Sequence, residues 1–330
     1  MKILSVIRME EQDFFNETQE RKLQDPSDIH FTITACCILA VCLFGMLGNG
    51  VAFWFLSFKI PRNKFTVYII NLIIADFTYL FFNATLMALQ IDQLMDLHPN
   101  FPGMSIVILL LEIFYDGAYQ AGMLFLLAIS IERCVSVFYP IWYRCHRPKH
   151  QSLVICLTMW FIACLESCLD NLICSPEAFS AGSLKCTGVQ VMTFVVSIVI
   201  SLPLMLISSI ILLIKIKTAS IKCRPPKLYV TIIVSVFVFL VACVPVKFMW
   251  LLLYLKCLPN GFQSVHFFFA SILCTVFSSS INPYIYFMIG RQKKLKFRQS
   301  IHSALHHVFH VEEDEAEKAF ENSSGLSNIS

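Results

Sequence analysis

The sequence has 330 residues, of which 57% are hydrophobic and 14% charged, and its mean hydropathy is +0.70. Soluble domains run near ~45–50% apolar and ~25% charged, so a chain of this length could not hide that much apolar surface in a water-soluble core. The net charge of +3 says less than its distribution, and no nucleic-acid partner is expected.

Residues 1–29 are polar, with acids and bases interleaved and no apolar core or small-residue cleavage site, so no removable signal peptide is expected. A membrane helix needs about 20 apolar residues to cross the hydrocarbon. Seven runs meet this: 30–58, 65–91, 103–138, 151–174, 188–214, 228–255 and 263–288. We call them spans 1 to 7. The breaks between them, such as "KIPRNK", "YRCHRPKH" and "KCLPNG", carry Pro, Gly or charge. The predicted fold is therefore an all-α membrane protein, a seven-transmembrane helix bundle over residues 30–290. After it, residues 291–309 place Leu295, Ile301, Leu305 and Phe309 among bases. This pattern predicts a short amphipathic eighth helix on the membrane surface, in contact with lipid. Residues 310–330 are acidic and then Ser/Asn-rich, and are expected to form a disordered tail.

Orientation follows from Lys and Arg. Seventeen of the 25 lie on one side, sixteen in the segments after spans 1, 3, 5 and 7 and Arg133 near the end of span 3, whereas the opposite loops hold only Lys185 and Lys256. The N-terminus is expected outside and the C-terminus in the cytoplasm. On that topology Asn16-Glu-Thr is an extracellular glycosylation sequon. The 14 cysteines fall mostly in apolar runs, which is not the pattern of a secreted disulfide framework, and no Cys/His set has zinc-ligand spacing. No metal or other cofactor is expected.

Polar groups inside the spans are costly and are by default functional candidates. Asn49, Asp76 and Asn282, each near the middle of its span, are expected to share one polar network, with or without water or a cation. Pro203, Pro245 and Pro283 interrupt spans 5, 6 and 7 and suggest a bundle whose ends can swing. Four acids, Glu112, Asp116, Glu166 and Asp170, form two i, i+4 pairs on spans 3 and 4. Asp116 lies ~26 Å along the helix from Arg133, with Tyr115 and Tyr119 nearby. The intramembrane base is Lys247. Two readings stay open. The acids form an anionic vestibule for a cationic peptide or amine, with Tyr119 adding a cation–π contact. Alternatively, Lys247 and one acid neutralise each other. At the other end Glu132 and Arg133 sit side by side before a basic segment. They read either as an interfacial ion pair with a snorkelling Arg or as a latch on a two-state bundle.

Several motifs in order resemble the rhodopsin family of G-protein-coupled receptors. They are Asn49 in "GNG", Asp76 in "NLIIAD", Glu132-Arg133-Cys134, Trp160, Pro203, Phe239 with Pro245, and Asn282-Pro283-Tyr284-Ile285-Tyr286. More narrowly, "NKFTVYIINLIIAD", "AISIERCVSVFYPIWYRCHRPKHQS" and "PLMLISSIILLIKIK" resemble the Mas and Mas-related receptors. The resemblance implies a plasma-membrane receptor whose Arg133, once released from Glu132, meets the C-terminal helix of a G-protein α subunit. Asn282, Pro283 and Tyr286 would act in the same switch. It also implies a Cys174–Cys186 bridge tying spans 4 and 5, because the cysteine usual near the outer end of span 3 is Ile108 here. Cys257 is then the odd external thiol. Asp170 matches an acidic helix 4 position that binds basic groups in some Mas-related receptors, but the second acid of that pair falls at Gln190. The tryptophan usual before the span 6 proline is Cys243, which suggests a shallower ligand. Tail serines Ser323, Ser324, Ser327 and Ser330 are candidate arrestin-recruiting phosphosites.

Other classes fit less well. Span 7 has no lysine for a Schiff base, which argues against an opsin. Histidines are almost absent from the spans and no nucleophile–base pair stands out, so no enzyme is expected. Intramembrane charge gathers at the two ends with Asp76 between them, unlike a channel or transporter pathway. No internal repeat is seen. A receptor-like modulator or scaffold with little ligand-driven signalling remains the alternative.

Overall fold

The computed structural model describes residues 26–59, 65–94, 103–148, 150–174, 183–219, 227–255 and 264–290. Asn16, Cys257, the segment 291–309 and the tail lie outside the described residues. The described elements are all helical. They are α1 (Pro26–Phe58), α2 (Thr66–Leu94), α3 (Met104–Phe138), a short α4 (Pro140–Cys145), α5 (Gln151–Ile173), α6 (Leu184–Phe194), a π-helical turn (Val195–Ser201), α7 (Leu202–Ala219), α8 (Lys227–Tyr254) and α9 (Ser264–Gly290). Span 4 is thus α5, span 5 is α6 to α7, span 6 is α8 and span 7 is α9.

The seven spans stand within a few residues of the apolar runs. Over the described residues, six of them are long and apolar enough to cross a membrane. α9 is more polar, with Ser271, Thr275, Ser278, Ser279, Ser280 and Asn282 buried along it. Large apolar side chains point outward along α1, α5 and α7, among them Leu47, Phe161 and Ile207. A soluble surface rarely shows so many together, whereas lipid accepts them.

α3 runs through the centre, and every residue from Gln120 to Ser130 is buried. Its Phe125 meets Trp160 of α5 edge-on at 5.7 Å, and Trp160 Nε1 donates to Asn71 Oδ1 of α2 at 3.0 Å. One indole therefore ties three spans. Gly103, at φ 95°, starts α3 in a left-handed conformation that suits a residue with no Cβ. α1 packs close to α9 through Gly45 and Gly48. A Cβ on Gly48 would lie 2.8 Å from the ring of Tyr284, and small residues are what allow such close seams in lipid.

The expected proline breaks differ in kind. α8 and α9 continue through Pro245 and Pro283. Pro203 instead follows the π-helical turn, where the altered ladder accommodates the missing N–H. The "YRCHRPKH" break is not all loop either: Pro140 opens the single helical turn or so of α4. Proline at N1 starts a helix, because its absent donor is one that has no partner there anyway.

Candidate functional site

One cavity of about 190 Å³ lies among α3, α5, α6, α8 and α9, towards the end of the bundle where Cys174 and Cys186 form a disulfide. The disulfide joins the end of α5 to the first turn of α6. Ser183 caps that turn by accepting from the Cys186 backbone N–H at 3.3 Å.

The cavity gathers all the predicted pocket residues: Glu112, Asp116, Tyr119, Glu166, Asp170 and Lys247. The i, i+4 spacing sets two layers. In the layer nearer the disulfide, Asn171 Nδ2 donates to Asp116 Oδ2 at 2.8 Å and Gln190 Nε2 donates to Asp170 Oδ1 at 2.6 Å. Gln190 thus faces Asp170 from α6, as an amide in place of a second acid. One turn deeper, Gln120 Nε2 donates to Glu166 Oε1 at 3.0 Å. Lys247 lies over the Tyr119 ring, 4.9 Å from its centroid. Among the described residues no carboxylate lies within ion-pair distance of Lys247, so a direct Lys247–acid bridge is not formed. By formal charge, four carboxylates outnumber the one ammonium among the described residues that line the cavity. The sequence reading missed Gln120, Thr193 and Asn171 as cavity residues. Gln120 could have been found, since it continues the Glu112, Asp116 series by four.

The mid-bundle polar group is assembled less symmetrically than expected. Asn282 Nδ2 donates to Asp76 Oδ2 at 2.8 Å. Asn49 Nδ2 reaches the backbone carbonyls of Gly45 and Ser279, at 3.0 and 3.2 Å, rather than Asp76. All three side chains are buried. Pro283 and Tyr286, in the next turn of α9, are buried too.

At the opposite end the expected Glu132–Arg133 latch is replaced. Glu132 pairs with Arg147, whose Nη2 donates to Glu132 Oε1 at 2.9 Å. The same nitrogen donates to Ser152 Oγ at 2.8 Å and to Tyr68 OH at 3.2 Å, and Nη1 donates to Tyr143 OH. Tyr68 OH in turn donates to Glu132 Oε1 at 2.8 Å. Adjacent residues on a helix point in different directions, so Glu132 faces α2 and the loop before α5 while Arg133 turns away. The Arg133 guanidinium lies 3.4 Å over the Phe65 ring, and Phe65 stacks on Tyr143 at 5.3 Å. Both arginines are thus held by one aromatic pair. Burial, and then the Glu132 charge, push the Tyr143 phenol well above its ordinary value, which keeps it neutral.

Residues 48–286 match the model of the 7 transmembrane receptor (rhodopsin family). The chain is similar to Proto-oncogene Mas of Mus musculus, 37% identical over 273 residues that cover 82% of each chain. It is also similar to Mas-related G-protein coupled receptor member D of Rattus norvegicus, 34% identical over 84% of this chain and 86% of that one. Member A8 of Mus musculus is 34% identical over 80% of this chain and 84% of its own. The chain belongs to the rhodopsin family, among the Mas-related receptors. As a multi-pass G-protein-coupled receptor it is not an enzyme.

Proposed function

We propose that this receptor binds a cationic peptide or amine in the acid-rich cavity and activates a heterotrimeric G protein at its Arg133 end. The observation that carries the reading is the charge of the cavity: Glu112, Asp116, Glu166 and Asp170 against Lys247 alone. A cation entering such a low-dielectric cleft is attracted over several ångströms, and the excess of acids gives it partners at more than one height. Asp170 is the anchor we favour. It is half-buried, accepts from Gln190, and sits one turn nearer the disulfide end than Glu166. The Lys/Arg bias supports an extracellular disulfide end, an oxidising side on which the bridge is stable, and a cytoplasmic Arg133 end. There the opened bundle exposes Arg133 to the inserted end of a G-protein α subunit, with Asn282, Pro283 and Tyr286 in the moving segment. Asn16 glycosylation, a lipid-bound segment 291–309 and arrestin at the tail serines belong to the same reading.

The test is G-protein activation in transfected cells challenged with basic peptides and amines, comparing wild type with Asp170→Asn at matched surface expression. The expected result is a response in the wild type that shifts to at least about tenfold higher concentration in the variant, the loss of one charge-assisted contact. An unchanged response would remove Asp170 as the anchor and leave Glu112 and Asp116. Silence of the wild type towards every cation would sink the cationic reading and favour the modulator alternative.

A further inference from the structure

The inner layer of the cavity differs from the outer one in its hydrogen-bond inventory. Glu166 is 4% exposed, and its Oε1 is taken by Gln120. Its Oε2 has no hydrogen-bond partner among the described residues, nor has Gln120 Oε1, the other end of the amide that holds it. Thr193 lines the same space from α6, and its Oγ1 has no hydrogen-bond partner among the described residues either. Lys247 brings three N–H donors from α8 to the same space and makes no ion pair among the described residues. Two acceptors thus want donors, one ammonium wants an acceptor, and a hydroxyl can serve as either. The formal charges of Glu166 and Lys247 cancel.

That inventory selects among ligand groups. A second ammonium placed here would gain Glu166 but meet Lys247. A carboxylate would gain Lys247 but meet Glu166. An apolar group would leave buried polar atoms unmet, which is the costly case in a low-dielectric site. A primary carboxamide meets the two acceptors and the ammonium together. Its NH₂ gives one hydrogen to Glu166 Oε2 and one to Gln120 Oε1, while its carbonyl accepts from Lys247. It is also neutral, so it enters the bundle without the desolvation cost of an ion.

We propose that the inner layer, Glu166, Gln120, Thr193 and Lys247, is a subsite for an uncharged primary-carboxamide group, and that the ligand carries this group beyond the cation held by the outer acids. The inference rests on the cationic reading above and adds a second recognition element to it. Length is consistent, since the outer and inner layers are one helical turn apart, roughly 5–6 Å, about the reach of a three-carbon linker.

The experiment uses the purified full-length receptor in detergent and three probes of matched length: γ-guanidinobutyramide, γ-guanidinobutyrate and butylguanidine. Thermal stabilisation is titrated for each on wild type, Lys247→Met, Gln120→Leu and Asp170→Asn. The carboxamide is expected to half-saturate at a concentration at least about tenfold lower than either of the others, the equivalent of one or two net hydrogen bonds. Lys247→Met and Gln120→Leu should each erase that advantage, read as the ratio of the carboxamide to the butylguanidine half-saturation within the same variant, and stabilisation of a variant by butylguanidine shows that it is folded. Equal titrations for all three probes, each weakened by Asp170→Asn, would overturn the subsite and leave the cationic reading standing. Preference for the carboxylate would overturn the subsite as drawn. No stabilisation by any probe at millimolar concentration would overturn both.

Discussion

Arg147→Met removes the centre of the network that closes the Arg133 end. In the structure Arg147 is buried and donates to Glu132, Tyr68, Ser152 and Tyr143. Methionine fills much of the same volume but donates nothing, so Glu132 loses its ion-pair partner and keeps neutral donors such as the Tyr68 hydroxyl. Breaking one side of a buried ion pair costs about 3–5 kcal/mol, because the remaining charge stays desolvated. The Phe65–Tyr143 stack that covers Arg133 also loses its outer support, since Arg147 lies 4.4 Å over the Tyr143 ring. If the network forms only in the closed bundle, a loss of about 3 kcal/mol shifts the closed–open balance by roughly a hundredfold. The assay is ligand-independent G-protein activation at matched surface expression, paired with thermal unfolding of the purified receptor. Basal activity should rise and the melting temperature fall. Glu132→Gln added to Arg147→Met removes the stranded charge and should restore part of the lost stability, with a coupling of at least ~1 kcal/mol in the double-mutant cycle. Additive effects together with unchanged basal activity would refute the reasoning, and Glu132–Arg147 would be a passive tie.

Two further outcomes follow from buried contacts. Asp76→Leu leaves the Asn282 amide without its acceptor and should lower stability by about 1–3 kcal/mol, whereas Asp76→Asn keeps an acceptor oxygen and should cost less; equal melting temperatures for the two variants would contradict the bond. Gly48→Ala drives a methyl into the Tyr284 ring across the α1–α9 seam and should cost about 1–3 kcal/mol through overpacking. Tyr284→Ala removes its own stacking and hydrogen bond to Phe44, so the clash is read as a smaller cost of Gly48→Ala in the Tyr284→Ala background than in the wild type, by thermal unfolding of the single and double variants.

The seven spans were legible because a helix in lipid must satisfy its own backbone and must be apolar over a fixed length. Both demands are local, so the run 103–138 and the helix Met104–Phe138 nearly coincide. The acid pairs of spans 3 and 4 were legible for a related reason. A spacing of four residues fixes a shared face whatever the helix packs against, and all four acids do line one cavity. The Asp76–Asn282 bond was anticipated from motif and depth, although the third member, Asn49, turned to the backbone of α9 instead. Partner choice was not local and could not be read. Glu132 beside Arg133 suggested a pair by adjacency alone, yet neighbours on a helix diverge by about 100°. The partner came from 15 residues onward, because α4 folds the chain back beneath α2 and α5. Gln120 and Thr193 were passed over because an amide and a hydroxyl are common in spans. They matter here because α3, α5, α6 and α8 converge to leave their polar atoms in one cavity. The sequence determined how many spans there are, where they lie to within a few residues and which of their faces carry the acids. Tertiary packing alone decided which charges meet, since that depends on the rotation of each helix against its neighbours.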